Sequence, residues 1–297
     1  MNLKDDIQRL KKDRRAIILA HYYQPLEIQE VADFIGDSLA LAQQASKTDA
    51  NMIVFAGVYF MAETAKLLNP DKTVLIPSLL ARCEMADMVS AHEVRALKEQ
   101  YPGVPVVAYV NTTAEVKSES DICCTSRNVI PIVNGLNSDR VIYVPDRNMA
   151  RYIQSQTGKE IIYPNGFCYV HDGIDPKWVE AEKRSHIGAV VLAHPECPPE
   201  VLAYADVIAS TAGMIRHVEQ SASNSEFIVL TEDGLAQSLR ADFPDRQFYS
   251  PESVCRGMKA TTLHDLYRAL EFRIHEIDLN SSIAPRARAT IDNMLRV

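Results

Sequence analysis

The feature that most constrains this chain is a pattern of residues written three times within its 297 residues. Each copy begins with a short apolar run that ends in polar residues: AIILAHYYQ from Ala16, PVVAYVNTT from Pro105 and AVVLAHPEC from Ala189. Each then has an Asp-led segment: DFIGDS from Asp33, DICCTS from Asp121 and DVIAST from Asp206. Repetition on this length scale predicts one structural unit built three times.

The rest of each copy reads as a second strand and a helix, because apolar β-rich residues give way to helical spacing. These segments are MIVFAGVYFMAETAKLL, RVIYVPDRNMARYIQ and EFIVLTEDGLAQSL. Each copy closes on a cysteine, Cys83, Cys168 or Cys255, separated by 85 and then 87 residues. The alternation predicts an α/β fold of three homologous three-layer αβα units with parallel sheets, in a pseudo-threefold arrangement around a central site.

The repeat also predicts the domain limits. The first unit is expected at residues 1–84, the second at 85–169 and the third at 170–259. Residues 260–297, with heptad-like leucines, are expected to form C-terminal helices that join the first unit. Because no Gly/Ser-rich or Pro-rich linker separates the units, we expect them to pack tightly together.

Composition narrows the classes of protein to which this chain can belong. With 47% apolar and 24% charged residues, it can bury a large core. Its net charge of −8 argues against nucleic acid and anionic membrane surfaces as partners. No apolar stretch approaches the roughly 18 residues of a membrane span, so we expect a cytoplasmic protein. Its six cysteines form no Cys-x-x-Cys pair, and disulfides are rare in the cytoplasm.

The repeat predicts which side chains converge, because ligands of parallel α/β units bind beyond the carboxyl ends of the strands. One set is the three closing cysteines. The first strands contribute His21, Tyr109 and His194, and two residues later Tyr23, Asn111 and Glu196. The sixth positions of the Asp-led segments are Ser38, Ser126 and Thr211, which we expect to cap helices and leave their N–H groups free to bind an anion.

Three thiolates around one axis suit a 4Fe-4S cluster whose fourth iron stays open to polarise a substrate oxygen. Zinc with three thiolates and a water is the nearest chemical rival, and spacing alone does not separate the two. Cys123, Cys124 and Cys197 do not recur in the repeat. We interpret them as packing thiols.

A family resemblance extends over essentially the whole chain. Its motifs are AHYYQ, GDSLALA, YVNTTAEVK, CTSRN, PDRNMARYI, NGFCYVH, HPEC, STAGM and SVCRGMKATTL, and together they resemble the quinolinate synthase family. The resemblance implies condensation of iminosuccinate with dihydroxyacetone phosphate to quinolinate, phosphate and water in NAD biosynthesis. It also implies a three-domain α/β fold around a 4Fe-4S cluster, and an aspartate-oxidising enzyme that supplies iminosuccinate.

The resemblance also assigns roles by matching motif. Cys83 in ARCEMADM, Cys168 in NGFCYVH and Cys255 in SVCRGMK match the cluster ligands. The positions that match the substrate-binding set are His21, Ser38, Tyr109, Val110, Asn111, Ser126, His194, Pro195, Glu196 and Thr211. The chemistry needs a general acid and a general base, for which the candidates are Tyr23, His194 and Glu196. Tyr22 is interpreted as a packing residue.

Two other classes of function remain open at this point. One is another three-cysteine 4Fe-4S enzyme, either a radical enzyme similar to the diphthamide-synthesis proteins or a hydro-lyase that performs no condensation. The other is a cluster-containing redox sensor that acts through a regulatory partner. The sequence has no basic DNA-binding element, which disfavours the sensor.

Overall fold

The computed structural model describes residues 2–297. The first unit contains α1 (Leu3–Arg14), β1 (Ala16–His21), α2 (Leu26–Gln29), β2 (Phe34–Gly36), α3 (Ser38–Lys47), β3 (Met52–Ala56), α4 (Tyr59–Leu68) and β4 (Thr73–Leu75). A short 3-10 helix, Glu84–Asp87, follows Cys83. The second unit contains α5 (Ala91–Gln100), β5 (Val106–Tyr109), α6 (Ala114–Ser118), β6 (Ile122–Cys124), α7 (Val129–Gly135), β7 (Arg140–Val144), α8 (Arg147–Thr157), β8 (Glu160–Ile162) and α9 (Tyr169–Asp172).

The third unit and the C-terminal segment complete the described chain. The unit contains α10 (Pro176–Ser185), β9 (Val190–Ala193), α11 (Pro199–Leu202), β10 (Val207–Ile208), α12 (Thr211–Gln220), β11 (Glu226–Leu230), α13 (Asp233–Asp242) and β12 (Gln247–Tyr249). Beyond it lie α14 (Leu263–Phe272) and α15 (Ala284–Leu295). No helix within residues 2–297 combines the length and the apolar character needed to cross a membrane.

The three sheets share one topology. Each has four parallel strands in the spatial order second, first, third, fourth: β2-β1-β3-β4, β6-β5-β7-β8 and β10-β9-β11-β12. Parallel sheets of this kind are covered by helices on both faces, so their central strands are buried along their length, as all five residues of β3 are. The predicted fold of three αβα units is therefore confirmed.

The repeated aspartates attach the edge strand of each sheet to its central first strand. The backbone N–H of each aspartate donates to a carbonyl of the central first strand, and the backbone N–H of the same strand residue donates to the carboxylate. The carboxylate bonds run from Ile18 N to Asp33 Oδ2 (2.7 Å), from Val106 N to Asp121 Oδ2 (2.7 Å) and from Val191 N to Asp206 Oδ2 (2.8 Å). The reciprocal pair fixes the edge strand against the central strand in all three units.

The C-terminal segment contacts more than one unit. Helix α14 packs on α1, and residues 275–277 pair antiparallel with the edge strand β4 through Ile76 N to His275 O (3.1 Å) and Ile277 N to Val74 O (2.8 Å). Helix α15 packs against α4 of the first unit and against α6 and β6 of the second. The C-terminal helices therefore hold the first two units together. The unit limits at residues 84, 169 and 259 stay predictions.

Candidate functional site

A cavity of about 680 Å³, including its mouth, lies where the three units meet. Its size is that of a small-molecule site. Most of the residues predicted to converge line it: His21, Tyr23, Ser38, Cys83, Tyr109, Asn111, Ser126, Cys168, His194, Glu196, Thr211 and Cys255. Val110 and Pro195 are not among the lining residues, and the Val110 N–H donates to the carbonyl of Cys124 at 2.8 Å.

Each cysteine lies in the loop after the last strand of its unit, and one backbone bond recurs in all three units. The first residue of the second long helix donates its N–H to the carbonyl two residues before the cysteine. The bonds are Tyr59 N to Ala81 O (2.8 Å), Arg147 N to Gly166 O (2.8 Å) and Asp233 N to Ser253 O (2.9 Å). The repeat thus places the three cysteines in equivalent backbone positions.

The loops of Cys83 and Cys255 approach each other closely. A Cβ atom added to Gly257 would overlap the carbonyl oxygen of Arg82, so the residue two positions after Cys255 has to be glycine for this packing. All three cysteines are free thiols. Burial raises the pKa of each thiol, and the negative charge of Glu196 contributes to raising the pKa of Cys83 and Cys168.

The sulfur atoms are spaced more widely than the ligands of one small ion. Within residues 2–297, the group of metal-binding side chains whose ligand atoms all lie within 4.8 Å of one another is Cys168, His171 and Glu196. The three sulfurs of Cys83, Cys168 and Cys255 do not form such a group. Thiolates on one tetrahedral zinc would lie about 3.8 Å apart, given its Zn–S distance of about 2.3 Å.

His21 and His194 occupy equivalent positions and have equivalent hydrogen bonds. The Nδ1 atom of His21 accepts the backbone N–H of Tyr23 at 3.1 Å, and that of His194 accepts the backbone N–H of Glu196 at 3.4 Å. Burial lowers the pKa of both histidines to about 3, so both rings are neutral at physiological pH. Because Nδ1 is an acceptor, the proton lies on Nε2, and in His194 this atom is 3.2 Å from the Ser126 hydroxyl.

Glu196 is a buried carboxylate lining the cavity, and its two oxygens contact different donors. Its Oε1 accepts the Tyr109 hydroxyl at 2.6 Å, and its Oε2 lies 2.9 Å from His171 Nδ1. Burial raises the pKa of Glu196, but His171, His194 and the hydrogen bonds from His171 and Tyr109 together outweigh burial and lower that pKa to about 2. The group is therefore a carboxylate at neutral pH, with its charge held by fixed donors.

A chain of hydrogen bonds connects Tyr23 with Glu196. The Tyr23 hydroxyl lies 2.7 Å from the Thr231 hydroxyl, which lies 2.8 Å from His171 Nε2. When His171 donates from Nδ1 to Glu196, its Nε2 accepts from Thr231, and Thr231 in turn accepts from Tyr23. Burial raises the pKa of Tyr23 well above its ordinary value, so its hydroxyl keeps its proton.

The expectation that Ser38, Ser126 and Thr211 cap helices is wrong. Asp37 caps α3 and Ser210 caps α12, so that Ser38 and Thr211 are the first helical residues. Ser126 lies in a turn, and α7 begins later, at Val129. The predicted cap is off by one residue because Asp37 and Ser210 bond the N–H groups of Ala40 and Gly213, which frees the next hydroxyl to line the cavity.

Comparison with known proteins places this chain in a family. The family model described as quinolinate synthetase A protein matches residues 5–296. A quinolinate synthase of Pyrococcus furiosus is 48% identical, with 99% of this chain and 98% of the relative covered. A quinolinate synthase of Methanoregula boonei is 50% identical, with 99% and 97% covered.

The chain belongs to the quinolinate synthetase A protein family. This membership bears out the resemblance that the sequence motifs indicate.

The sequence analysis did not predict several side chains that lie at or next to the cavity. They are His171, Thr231, Glu232 and Lys259, of which His171 and Glu232 line the cavity. The sequence does contain an indication of His171 at the site, since it follows Cys168 by three residues within NGFCYVH. The indication of Glu232 is weaker: an acidic residue, Asp146, occupies the same repeat position in the second unit.

The remaining cysteines do not line the cavity. Cys123 and Cys124 are buried in β6, and Cys197 is buried in the third unit. The Cys123 sulfur contacts the Thr290 hydroxyl of α15 at 3.2 Å.

Proposed function

We propose that this chain condenses iminosuccinate with dihydroxyacetone phosphate to quinolinate, releasing phosphate and two water molecules. In this proposal, Cys83, Cys168 and Cys255 hold a 4Fe-4S cluster. The observation that carries it is the opening of three repeat-equivalent cysteines onto the one cavity that also contains Tyr23, His194 and Glu196, in a chain of the quinolinate synthetase A family.

The donor set supports a cluster over a single zinc ion. Three thiols come from three separate units, and the protein offers no fourth cysteine among the lining residues. Their sulfurs are too widely spaced to surround one tetrahedral ion, whereas a cubane of four irons and four sulfides presents well-separated corners. A cluster bound by three cysteines supplies a Lewis acid at its fourth iron.

The hydrogen-bond donors of the cavity support binding of a dicarboxylate and a phosphate ester. His21 and His194 each have a proton on Nε2, and the hydroxyls of Ser38, Ser126 and Thr211 line the same cavity. The side-chain oxygen of Asn111 is buried with no hydrogen-bond partner within the protein, so a substrate donor such as the imine N–H can satisfy it. Neutral histidines bind these anions as donors without adding charge.

Glu196 and Tyr23 support proton transfer in opposite directions. The Glu196 carboxylate serves as the general base that takes a proton from carbon, and the Tyr23 hydroxyl serves as the acid that gives one to a leaving oxygen. Thr231 and His171 join the two groups by a chain of hydrogen bonds and hold their orientation. His194, stacked on His171 with ring centroids 4.7 Å apart, orients this chain.

The proposed substrates indicate which molecules and enzymes this chain works with. Both are small molecules, and iminosuccinate has to be supplied by an aspartate-oxidising enzyme. Functional coupling to that enzyme and a cytoplasmic location stay predictions.

The test compares the wild type with Cys83→Ala, Cys168→Ala and Cys255→Ala after anaerobic purification. Iron, sulfide and quinolinate formed from iminosuccinate and dihydroxyacetone phosphate are measured. We expect about four irons and four sulfides per chain in the wild type, and loss of both the cluster and the activity in each variant. Cys124→Ala is the matched control, because Cys124 is buried outside the cavity and its variant should keep both.

Other outcomes would point elsewhere. Stoichiometric zinc in the wild type, or an intact cluster in all three variants, would overturn the ligand assignment. An intact cluster with a product other than quinolinate would favour a hydro-lyase, and cleavage of S-adenosylmethionine would favour the radical enzyme.

A further inference from the structure

Glu232 is a fully buried carboxylate at the wall of the cavity, and it is bound to the loop of Cys255. It caps α13, where its Oε2 accepts the N–H of Gly234 at 2.7 Å. Its Oε1 accepts the backbone N–H of Cys255 at 3.1 Å. A charged acceptor makes such bonds about twice as strong as neutral ones. The carboxylate therefore fixes the backbone that presents the Cys255 sulfur.

Lys259 extends this connection to the first unit. Its Nζ lies 3.0 Å from Glu232 Oε1 and donates to the carbonyl of Tyr23 at 2.5 Å. Its own backbone N–H donates to the carbonyl of Cys255 at 3.1 Å. One ion pair thus joins the chain at Cys255, in the third unit, with the chain at Tyr23, in the first.

The space around the pair is made by a glycine. A Cβ atom on Gly234 would lie 2.7 Å from Glu232 Oε2, 2.7 Å from Lys259 Nζ and 2.9 Å from Tyr23 Cα. These distances are too short for any other residue without movement of its neighbours. The absence of a side chain at position 234 lets the carboxylate, the ammonium group and the Tyr23 backbone meet.

The other two units have no such pair. At the position of Glu232, the first unit has Val58 and the second has Asp146. The Oδ1 atom of Asp146 accepts N–H groups of its own helix, from Asn148 at 2.7 Å and from Met149 at 2.8 Å. The carboxyl group of Asp146 also faces the backbone N–H of Cys168, so an acidic group beside a cysteine loop occurs in two units. The ion pair with a lysine that reaches another unit is found at Glu232.

We propose that Glu232 and Lys259 are a positioning pair that fixes Cys255 relative to Tyr23. The inference rests on the proposed function, in which Cys255 is a cluster ligand and Tyr23 is the general acid. A buried ion pair is a poor means of adding stability, because the desolvation of both charges offsets their attraction. It holds a geometry well, because both partners are confined by several directed hydrogen bonds. Neither side chain touches the reacting atoms in this role.

The first test uses hydrogen exchange in the metal-free protein, which does not depend on catalysis. Glu232→Gln, Lys259→Met and the double variant are compared with the wild type by mass spectrometry of peptides. In each variant we expect the peptide containing Cys255 to exchange about tenfold faster, and the peptide containing Cys83 to stay unchanged. Arg140→Met and Glu160→Gln remove an exposed ion pair and serve as controls that change neither peptide.

The second test measures kinetics and the spectrum of the cluster-loaded enzyme. We expect Lys259→Met to lower kcat about a hundredfold, since small displacements of catalytic groups have effects of that size, with KM nearly unchanged. The electron paramagnetic resonance signal of the reduced cluster should shift in both single variants. The double variant should resemble either single one, because the two side chains act as a unit.

The outcomes separate this inference from the proposed function. If the wild type makes no quinolinate, the proposed function fails, and the exchange experiment still decides whether the pair holds the Cys255 loop. If the wild type is active, the inference is overturned by unchanged exchange in both variants. It is likewise overturned by single-variant effects on kcat that simply add, or by a kcat within about twofold of the wild type.

Discussion

The first and third units use the same backbone to present opposite chemistry. In both, a histidine lies at the end of the first strand or directly after it, and its Nδ1 accepts the N–H of the residue two positions later. That residue is Tyr23 in the first unit and Glu196 in the third. Burial raises the pKa of Tyr23 well above its ordinary value, whereas the donors around Glu196 lower its pKa to about 2. Two copies of one strand end thus supply a proton donor and a proton acceptor.

The difference teaches how a repeated unit can build an asymmetric site. The repeat fixes the positions of the backbone, and single side chains then decide charge and proton affinity. The second unit is different again, because Tyr109 has the place of the histidine and donates its hydroxyl to Glu196. A carboxylate of the third unit therefore accepts a hydrogen bond from the second.

Removing the proton acceptor, Glu196, should lower kcat the most, and removing the proton donor, Tyr23, should have the next largest effect on kcat. We expect Glu196→Gln to lower kcat about a thousandfold and Tyr23→Phe about a hundredfold, both with the cluster retained, because general acid–base groups contribute on that scale. Steady-state kinetics together with iron analysis make the measurement. Glu200→Gln and Tyr22→Phe are the matched controls, on an exposed carboxylate and on the neighbouring ring. Equal losses of kcat in Glu196→Gln and Glu200→Gln would contradict the assignment of Glu196 as the proton acceptor opposite Tyr23.

The sequence predicted the units and most of the cavity for one physical reason. The apolar runs and the aspartates recur in register, and parallel sheets bring equivalent strand ends to one place. The caps could not be placed to the residue, because Asp37 and Ser38 are both good capping residues and only the backbone turn selects between them. The pair of Glu232 and Lys259 left no recurring pattern, since its partners meet through the packing of two units.

The two histidines should respond alike to pH, which tests their equivalence. Burial lowers the pKa of His21 and His194 to about 3 in the folded chain, against 6.5 as the ordinary value. Between these values the unfolded chain binds a proton that the folded chain does not, so each histidine makes stability fall as pH decreases below 6.5. The slope is on the order of 1 kcal/mol per pH unit for each histidine.

Denaturation of the metal-free protein between about pH 4 and pH 7 measures this dependence. His21→Gln and His194→Gln should each lose less stability on acidification than the wild type does. A variant with the wild-type slope would show that its histidine is protonated in the folded state.

The smallest effects, on the free energy of unfolding, should come from the repeated aspartates that bond the central first strand of each sheet. Asp33→Ala, Asp121→Ala and Asp206→Ala each remove the acceptor of a strand N–H, at an expected cost of about 1 to 3 kcal/mol in the free energy of unfolding. Asp33→Ala should cost the most, because Asp33 Oδ1 also pairs with the buried Lys11 ammonium at 2.9 Å. Urea denaturation makes the comparison, with the exposed Asp49→Ala as the control. Equal losses in all three variants would mean that the pair with Lys11 contributes nothing.

The pairing of residues 275–277 with β4 has a consequence for the order of events during synthesis. The edge strand of the first sheet is complete early, yet its partner emerges from the ribosome about two hundred residues later. Until then the nascent chain exposes an unpaired strand edge, which is a template for aggregation. The last segment to be made both covers that edge and, through α15, holds the first two units together. Premature termination after residue 259 would therefore yield a chain with every residue that lines the cavity but an open sheet.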